Sequence, residues 1–525
     1  MFLKKITIHE LIILLGISIY AFIINWFSGN IGIIPIDSFG FLDTGHSILN
    51  GKLPIRDFWI FTGLLVDYME AFFLFAFGNN WNSHLIHSSF MNILASIFLY
   101  FFLRSFKLEK KYIIFYCISF ATLCYPVSGT PFAYIHSYIF SLISIMTLIL
   151  AIKTNNKFIW LLFPFICFFS FLSMQTPSVY ILLILFLVSI YQFVKTRDYE
   201  PLKFFVLGCT ISILLFLGFL FVTQTPLSNF LYQYILFPLT IGEGRISSSE
   251  TAYVSLVNQI NFKRLFGDFK FIHFLLFSLI FFAIKNFKKN KLIINILNVT
   301  FLLSVLAFLF NQLITANQIF IFSLIPIIGS LLHLNLFKTR DKSKKILIIL
   351  IIVLFATVKF HYRYNIDRKF HDLENIDKSL AINANEIHEN LKDLKWINRF
   401  DDPRKEVEFL KQAIEIIKNE KREIVLITHY QFISTILDKK INILNRWYLW
   451  DNNTHPTENH KYFSVYKSLV DKNIQSNNVK AVYLLGQENE ILIENVKNYF
   501  TDLCFKSKTL VKKRFSIHEI VNCKK

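Results

Sequence analysis

Charge, glycine and patterned cysteine are all scarce in this chain. Asp, Glu, Lys and Arg make up 17% of the 525 residues, where soluble globular chains run to about a quarter, so an ordinary water-soluble enzyme is excluded. The 16 glycines never gather into the turn that cradles a nucleotide phosphate, which leaves out P-loop and dinucleotide-binding chemistry. The six cysteines show no CxxC or Cys/His spacing, so no zinc site is expected. Cys117, Cys124, Cys167 and Cys209 lie in apolar runs and read as small hydrophobes. Cys504 and Cys523 lie in the polar tail and are candidates for a disulfide if that region is extracytoplasmic.

Apolar residues are abundant: 54% of the chain, with mean hydropathy +0.47. A helix needs about 20 apolar residues to cross the hydrocarbon core. Eleven runs qualify as candidates, near 6–27, 83–104, 112–127, 134–152, 158–173, 177–194, 204–223, 268–285, 292–311, 317–336 and 346–361. The aromatic richness is read as lipid-facing packing rather than base stacking. The first run follows Lys4 and Lys5 and is too long for a cleaved signal, with no small-residue cleavage site after it, so it is expected to stay as the first span.

The net charge of +19 is a topological signal rather than a nucleic-acid stripe, because much of it sits in short tethers. Arg104, Lys107, Lys110 and Lys111 separate the second and third runs, and Lys153 and Lys157 follow the fourth. Lys195, Arg197 and Lys203 follow the sixth, Lys285, Lys288, Lys289 and Lys291 the eighth, and Lys338 to Lys345 the tenth. The alternating connectors at 128–133, 173–177 and 312–317 have no Lys or Arg. Basic connectors stay in the cytoplasm. The N-terminus is therefore expected inside, with residues 28–82, 224–267 and everything after 361 outside. The Lys-, Ile-, Asn- and Phe-heavy usage points to an AT-rich bacterium and its inner membrane.

The expected organisation is a transmembrane region over 1–361 and an extracytoplasmic α/β domain over 362–525. In the latter, Val407, Leu410, Ala413, Ile414 and Ile417 recur at helical spacing within 404–419. Runs at 423–428 and 479–485 read as buried strands, and a further helix is expected over Glu488–Tyr499. In the first outer loop, FWIFTGLLVDYMEAFFLFAFG at 58–78 is nearly long enough to span. Counting it would invert every later connector and put Asp67 and Glu70 in hydrocarbon at a cost of several kcal/mol. It is read instead as an amphipathic interfacial helix with those two acids on a solvated face. A short helix is expected over 41–49, stopped by Asn50-Gly51.

The order of motifs in this loop resembles a known family. Asp37 ends the first span; ILNGKLPIRDFW follows at 48–59, Gly63-Leu64 next, and FFLFAFG at 72–78 closes it. A second stretch is FLSMQTPSVY at 171–180. The pattern is similar to the first outer loop of GT-C glycosyltransferases such as the bacterial aminoarabinose transferases and protein mannosyltransferases. Over about fifty residues the likeness is close. The family's lysine before Gln-Thr is Met174 here, and the proline of its G-P-L is Leu65.

The resemblance implies a polytopic α-helical enzyme that takes a sugar from polyprenyl phosphate and places it on an extracytoplasmic glycan, lipid or protein acceptor. It implies Asp37 as the catalytic base, and the physical logic agrees: the acceptor hydroxyl must lose a proton, and a partly buried carboxylate has the basicity to take it. Attack opposite the departing phosphate would invert the anomeric centre.

Asp43 is a candidate second acid, although a surface position on its short helix is favoured. Lys52, Arg56 and Arg245 are outer-face candidates for the departing phosphate, and His46, Asp57, His136 and Gln175 are candidates to line the site. Asp57 beside Arg56 is read first as a salt bridge. His84 and His87, three apart, are read as packing rather than as metal ligands. No metal ligand is assigned and no cofactor is certain: a divalent metal would need a second outer-loop acid, and SGTPFAYIH at 128–136 has no carboxylate. The rival readings are a transporter or flippase for lipid-linked sugars, a polymerase or ligase of envelope glycans, and a sensor.

Overall fold

The computed structural model describes residues 6–125, 128–247, 256–315, 320–336, 342–449, 452–486, 499–500 and 503–523. The first helix, α1 (Ile8–Gly29), is closed at its start by a reciprocal box in which Thr7 and Glu10 satisfy each other's backbone N–H. A short turn, α2 (Pro35–Ser38), and helix α3 (Gly40–Leu49) follow. Asn50 and Gly51, at φ +77°, end α3 where the turn chemistry places the stop.

Gly63, at φ +74°, starts α4 (Leu64–Phe77). Its 14 residues give a length of about 21 Å, too short to span. The residues before it are not helical: Trp59 N–H donates to the Leu444 carbonyl of the tail at 2.8 Å. Asp67 and Glu70 are fully buried, which corrects the expectation of a solvated face. Their side of α4 is covered by α3, by α5 (Trp81–Ser105) and by the tail.

Among the described residues, seven helices are long and apolar enough to cross a membrane: α1, α5, α7 (Ala133–Thr154), α9 (Gln175–Thr196), α10 (Glu200–Val222), Leu292–Thr315 and Lys342–Ile366. The other four expected spans are shorter: α6 (Lys110–Cys124, 15 residues), α8 (Lys157–Ser173, 17), Lys270–Asn286 (17) and Leu324–Asn335 (12). The count of eleven is thus corrected to seven. The runs at 112–127 and 158–173 already fall short of the about 20 residues a span needs, and residues 320–323 of the 317–336 run form a turn before the helix. α7 is buried along almost its whole length at the centre of the bundle. By contrast, Leu214, Leu215, Phe221 and Val222 of α10 turn outward.

The tail carries a four-stranded sheet and a long helix, whose core is shared with Ile33, Phe39, Leu42 and Trp81 of the first loop. Asp402 caps the Pro403–Asn419 helix by accepting from the N–H groups of Arg404 and Lys405. The sheet order is Ile424–Thr428, Ala481–Leu485, Phe515–Val521, Cys504–Val511; the first pair is parallel and the others antiparallel. The parallel pair Ile424–Thr428 and Ala481–Leu485 is buried along its whole length. Cys504 and Cys523 form a disulfide. Of the helix expected over Glu488–Tyr499, residues 488–498 lie outside the described residues.

The tail packs onto the segments read as outer loops. Gly32 and Ile33 donate to the carbonyls of Lys395 and Ile397. Asn473 donates to the Asp57 carbonyl at 2.8 Å, and Thr240 meets His460 at 3.0 Å. The buried Arg368 donates to the carbonyls of Ser28 and Ile31 at the end of α1. At the opposite end of the bundle, Arg104 pairs with Glu10 at 3.0 Å and Lys157 with Glu200 at 3.3 Å.

Candidate functional site

Five acids occur between residues 28 and 82: Asp37, Asp43, Asp57, Asp67 and Glu70. The fold commits four of them. Asp43, buried on α3, accepts from Ser434 Oγ at 2.9 Å, from Thr435 Oγ1 at 2.7 Å and from Thr435 N–H at 3.1 Å. It joins the tail to the first loop. This corrects the favoured reading of Asp43 as a surface residue. Burial pushes its carboxyl up, against the pull of those donors and of His46. His46 is held in the same junction by Asp438 at 3.1 Å.

Asp57 takes a forked contact from Arg56, with Nη2 to Oδ2 at 2.7 Å, and accepts the Leu53 N–H at 2.7 Å. The salt bridge expected of this pair is therefore present. Arg56 also donates to the carbonyls of Thr223 and Gly51. Asp67 pairs with Arg446 of the tail and accepts from Thr44 Oγ1 at 2.6 Å. Arg446 also donates to the Thr62 carbonyl, and its guanidinium lies over the rings of Phe41 and Trp447, 4.4 and 5.0 Å from their centroids. Burial raises Asp67 to about 6 despite Arg446 and Thr44.

Glu70 sits between two histidines. Its Oε1 is 2.7 Å from His84 Nδ1 and its Oε2 is 2.7 Å from His87 Nδ1. Burial alone would raise this carboxyl, but the two histidines outweigh it and hold it down at about 2. His136 joins the same chain through His87 at 3.1 Å.

Asp37 is different. It lies on α2, beyond the non-helical residues 30–34 that follow α1, partly exposed, and its carboxylate has no hydrogen-bond or ion-pair partner among the described residues. Burial alone pushes it up to about 6. A carboxylate that gives up solvation without gaining partners is poised to accept a proton near neutral pH. Three residues on, Gly40 makes room for the indole of Trp447, whose Nε1 lies 2.6 Å from where a Cβ would stand. Trp447 in turn packs edge-on against Phe41, and tilted against Phe61.

The remaining candidates are engaged elsewhere. Lys52 donates to Asn477, and Arg245 reaches Asn453 at 3.5 Å; both tie loops to the tail. Gln175 donates to the carbonyls of Phe61 and Tyr234 at 2.8 and 2.7 Å, fixing the break between α8 and α9. Among the described residues, no group of three or more His, Cys, Asp or Glu side chains has a metal-holding arrangement.

Sequence reasoning missed Arg446 and Trp447, which come from a segment with no motif. It also missed the pairing of Glu70 with His84 and His87. A signal for that pairing existed: acids at 67 and 70 and histidines at 84 and 87 share the same three-residue spacing across one tight turn. No protein-family model and no curated protein matches this chain.

Proposed function

We propose that this protein is an inverting glycosyltransferase of the GT-C type, using a sugar carried on polyprenyl phosphate. The observation that carries the reading is the isolation of Asp37: of five acids in the first loop, it alone keeps an uncommitted carboxylate among the described residues. In the transfer step, Asp37 takes the proton of the acceptor hydroxyl while that oxygen bonds to the anomeric carbon. The bond from that carbon to the phosphate oxygen breaks, and polyprenyl phosphate leaves with the electron pair. The sugar ends inverted.

The proposed sidedness draws on two features. Arg104, Lys110 and Lys157 lie beside Glu10 and Glu200 at the starts of α1 and α10, the helix ends away from Asp37, which suits a cytoplasmic face, and the Cys504–Cys523 disulfide suits an oxidising compartment. A lipid carrier fits the chemistry, because activated sugars are made inside and the acceptor lies outside.

The test uses purified protein in proteoliposomes containing a polyprenyl-phosphate sugar and a candidate acceptor. Wild type is expected to form the glycosylated acceptor and Asp37→Asn to lose at least a thousandfold in rate. Full activity in Asp37→Asn would remove Asp37 as the base. Movement of the carrier across the bilayer without transfer would replace the enzyme reading with a flippase.

A further inference from the structure

Behind the Asp37 turn runs a buried hydrogen-bonded chain that the transfer step above does not use. It begins at the Ser38 carbonyl, the residue after Asp37, which lies 3.0 Å from His84 Nε2. It continues from His84 Nδ1 to Glu70 at 2.7 Å, from Glu70 to His87 Nδ1 at 2.7 Å, and from His87 Nε2 to His136 Nε2 at 3.1 Å. It ends with His136 Nδ1 2.9 Å from the Phe132 carbonyl. All four side chains are fully buried.

Counting protons along this chain gives a definite charge. A carbonyl only accepts, so His84 Nε2 and His136 Nδ1 must each carry hydrogen. Each of the three inner contacts also needs one, which makes five protons for five contacts. Three neutral imidazoles and a carboxylate hold only three, at net charge −1. Four protons make the group neutral and leave one contact with two lone pairs face to face. Five make every contact and leave the group at +1.

The Tyr125 hydroxyl does not alter the count. It lies 3.3 Å from His136 Nδ1 and accepts from Phe132 N–H, so it can donate to that nitrogen only if the shorter contact to the Phe132 carbonyl is given up.

We propose that the Glu70–His84–His87–His136 chain holds one proton beyond neutrality, and that this proton locks Ser38 and with it the turn that presents Asp37. The lock joins α2, α4, α5 and α7. Three other acids sit on the elements packed around Glu70; Asp37, on the α2 turn, is the one without a partner among the described residues. Asp67, on its own helix, is matched by Arg446 from the tail. Asp43 and His46 on α3 are engaged by Ser434, Thr435 and Asp438. As pH rises beyond the chain's own titration point, one contact loses its hydrogen and the lock opens.

The consequence for Asp37 rests on the transferase reading; the proton count does not, so the two are tested apart. The first measurement is nitrogen NMR of the full chain, 15N-labelled at histidine, in lipid nanodiscs. At pH 8, where exposed histidines are neutral, wild type is expected to keep two imidazolium rings. Glu70→Gln, whose amide NH2 supplies the hydrogen of one contact, should lose one signal and keep one. His87→Phe, whose ring can take over the stacking on Phe73, should lose one and keep the His84 link to Ser38. Three neutral rings in wild type at pH 6 would overturn the proposal whether or not Glu70→Gln folds. The second measurement is the pH profile of transfer: wild type should show an alkaline fall that His87→Phe lacks. An identical alkaline fall in both proteins would remove the link to Asp37.

Discussion

Replacing Asp67 with Asn, and separately Arg446 with Met, breaks the same buried pair from its two sides and should give two different pH dependences. Both side chains are almost completely buried. Removing one partner leaves an uncompensated interior charge, at a cost of about 3–5 kcal/mol. In Asp67→Asn the stranded group is a guanidinium, which does not release its proton in the accessible range, so the loss relative to wild type should be flat with pH above about 7.

In Arg446→Met the stranded group is a carboxyl that already sits at about 6 with its partner present and must climb further without it. A carboxyl whose folded value is raised favours folding at low pH and loses that contribution as pH rises through the folded value. Relative to wild type, the deficit of Arg446→Met should therefore open above pH 6, by up to about 1.4 kcal/mol per unit. Urea unfolding at pH 6 and pH 8, followed by tryptophan fluorescence, reads this out, since Trp447 lies against Arg446. A deficit under about 1 kcal/mol in Asp67→Asn, or a pH-independent one in Arg446→Met, would refute the reasoning.

Other substitutions separate structure from chemistry. Asp43→Asn keeps an acceptor for Ser434 and Thr435 and should retain transfer, whereas Asp43→Ala strands three donors, costs about 3 kcal/mol and loosens the tail; limited proteolysis of the tail distinguishes them. Gly129 has φ +72° and a Cβ there would lie 2.2 Å from the Gly29 nitrogen, so Gly129→Ala should cost about 3 kcal/mol or more, measured as lost yield of folded protein. Asp37→Asn should be more stable than wild type at pH 8 by up to about 3 kcal/mol, from a carboxyl raised by about two units. That gain should vanish below pH 4, and thermal unfolding at both pH values measures it. Arg56→Ala should change stability by no more than about 1 kcal/mol, because its pair with Asp57 is partly exposed.

Local chemistry made much of the fold readable. The apolar period of the Pro403–Asn419 helix, the two buried strands, the Asn50-Gly51 stop and the Arg56–Asp57 pair each depend on residues close in sequence. What escaped was long-range closure. Asp67 and Arg446 are 379 positions apart, and no local pattern says that a tail loop will return to cover α4. For the same reason Asp67 and Glu70, three apart on an apolar helix, read as a wet face and are in fact interior. The number of spans was overcounted because runs too short to cross were admitted, as at 158–173, and because hydropathy does not register a turn such as residues 320–323. Asp37 was legible as a candidate from its place after the first span. That it keeps no partner among the described residues is visible only once the other four acids have found theirs.

The most direct measurement is single-turnover sugar transfer from a purified polyprenyl-phosphate donor, recorded from pH 4.5 to 8. The account predicts an acid limb centred near pH 6 in wild type, where Asp37 gains its proton, and a residual, pH-flat rate in Asp37→Asn. An acid limb that survives unchanged in Asp37→Asn would contradict it.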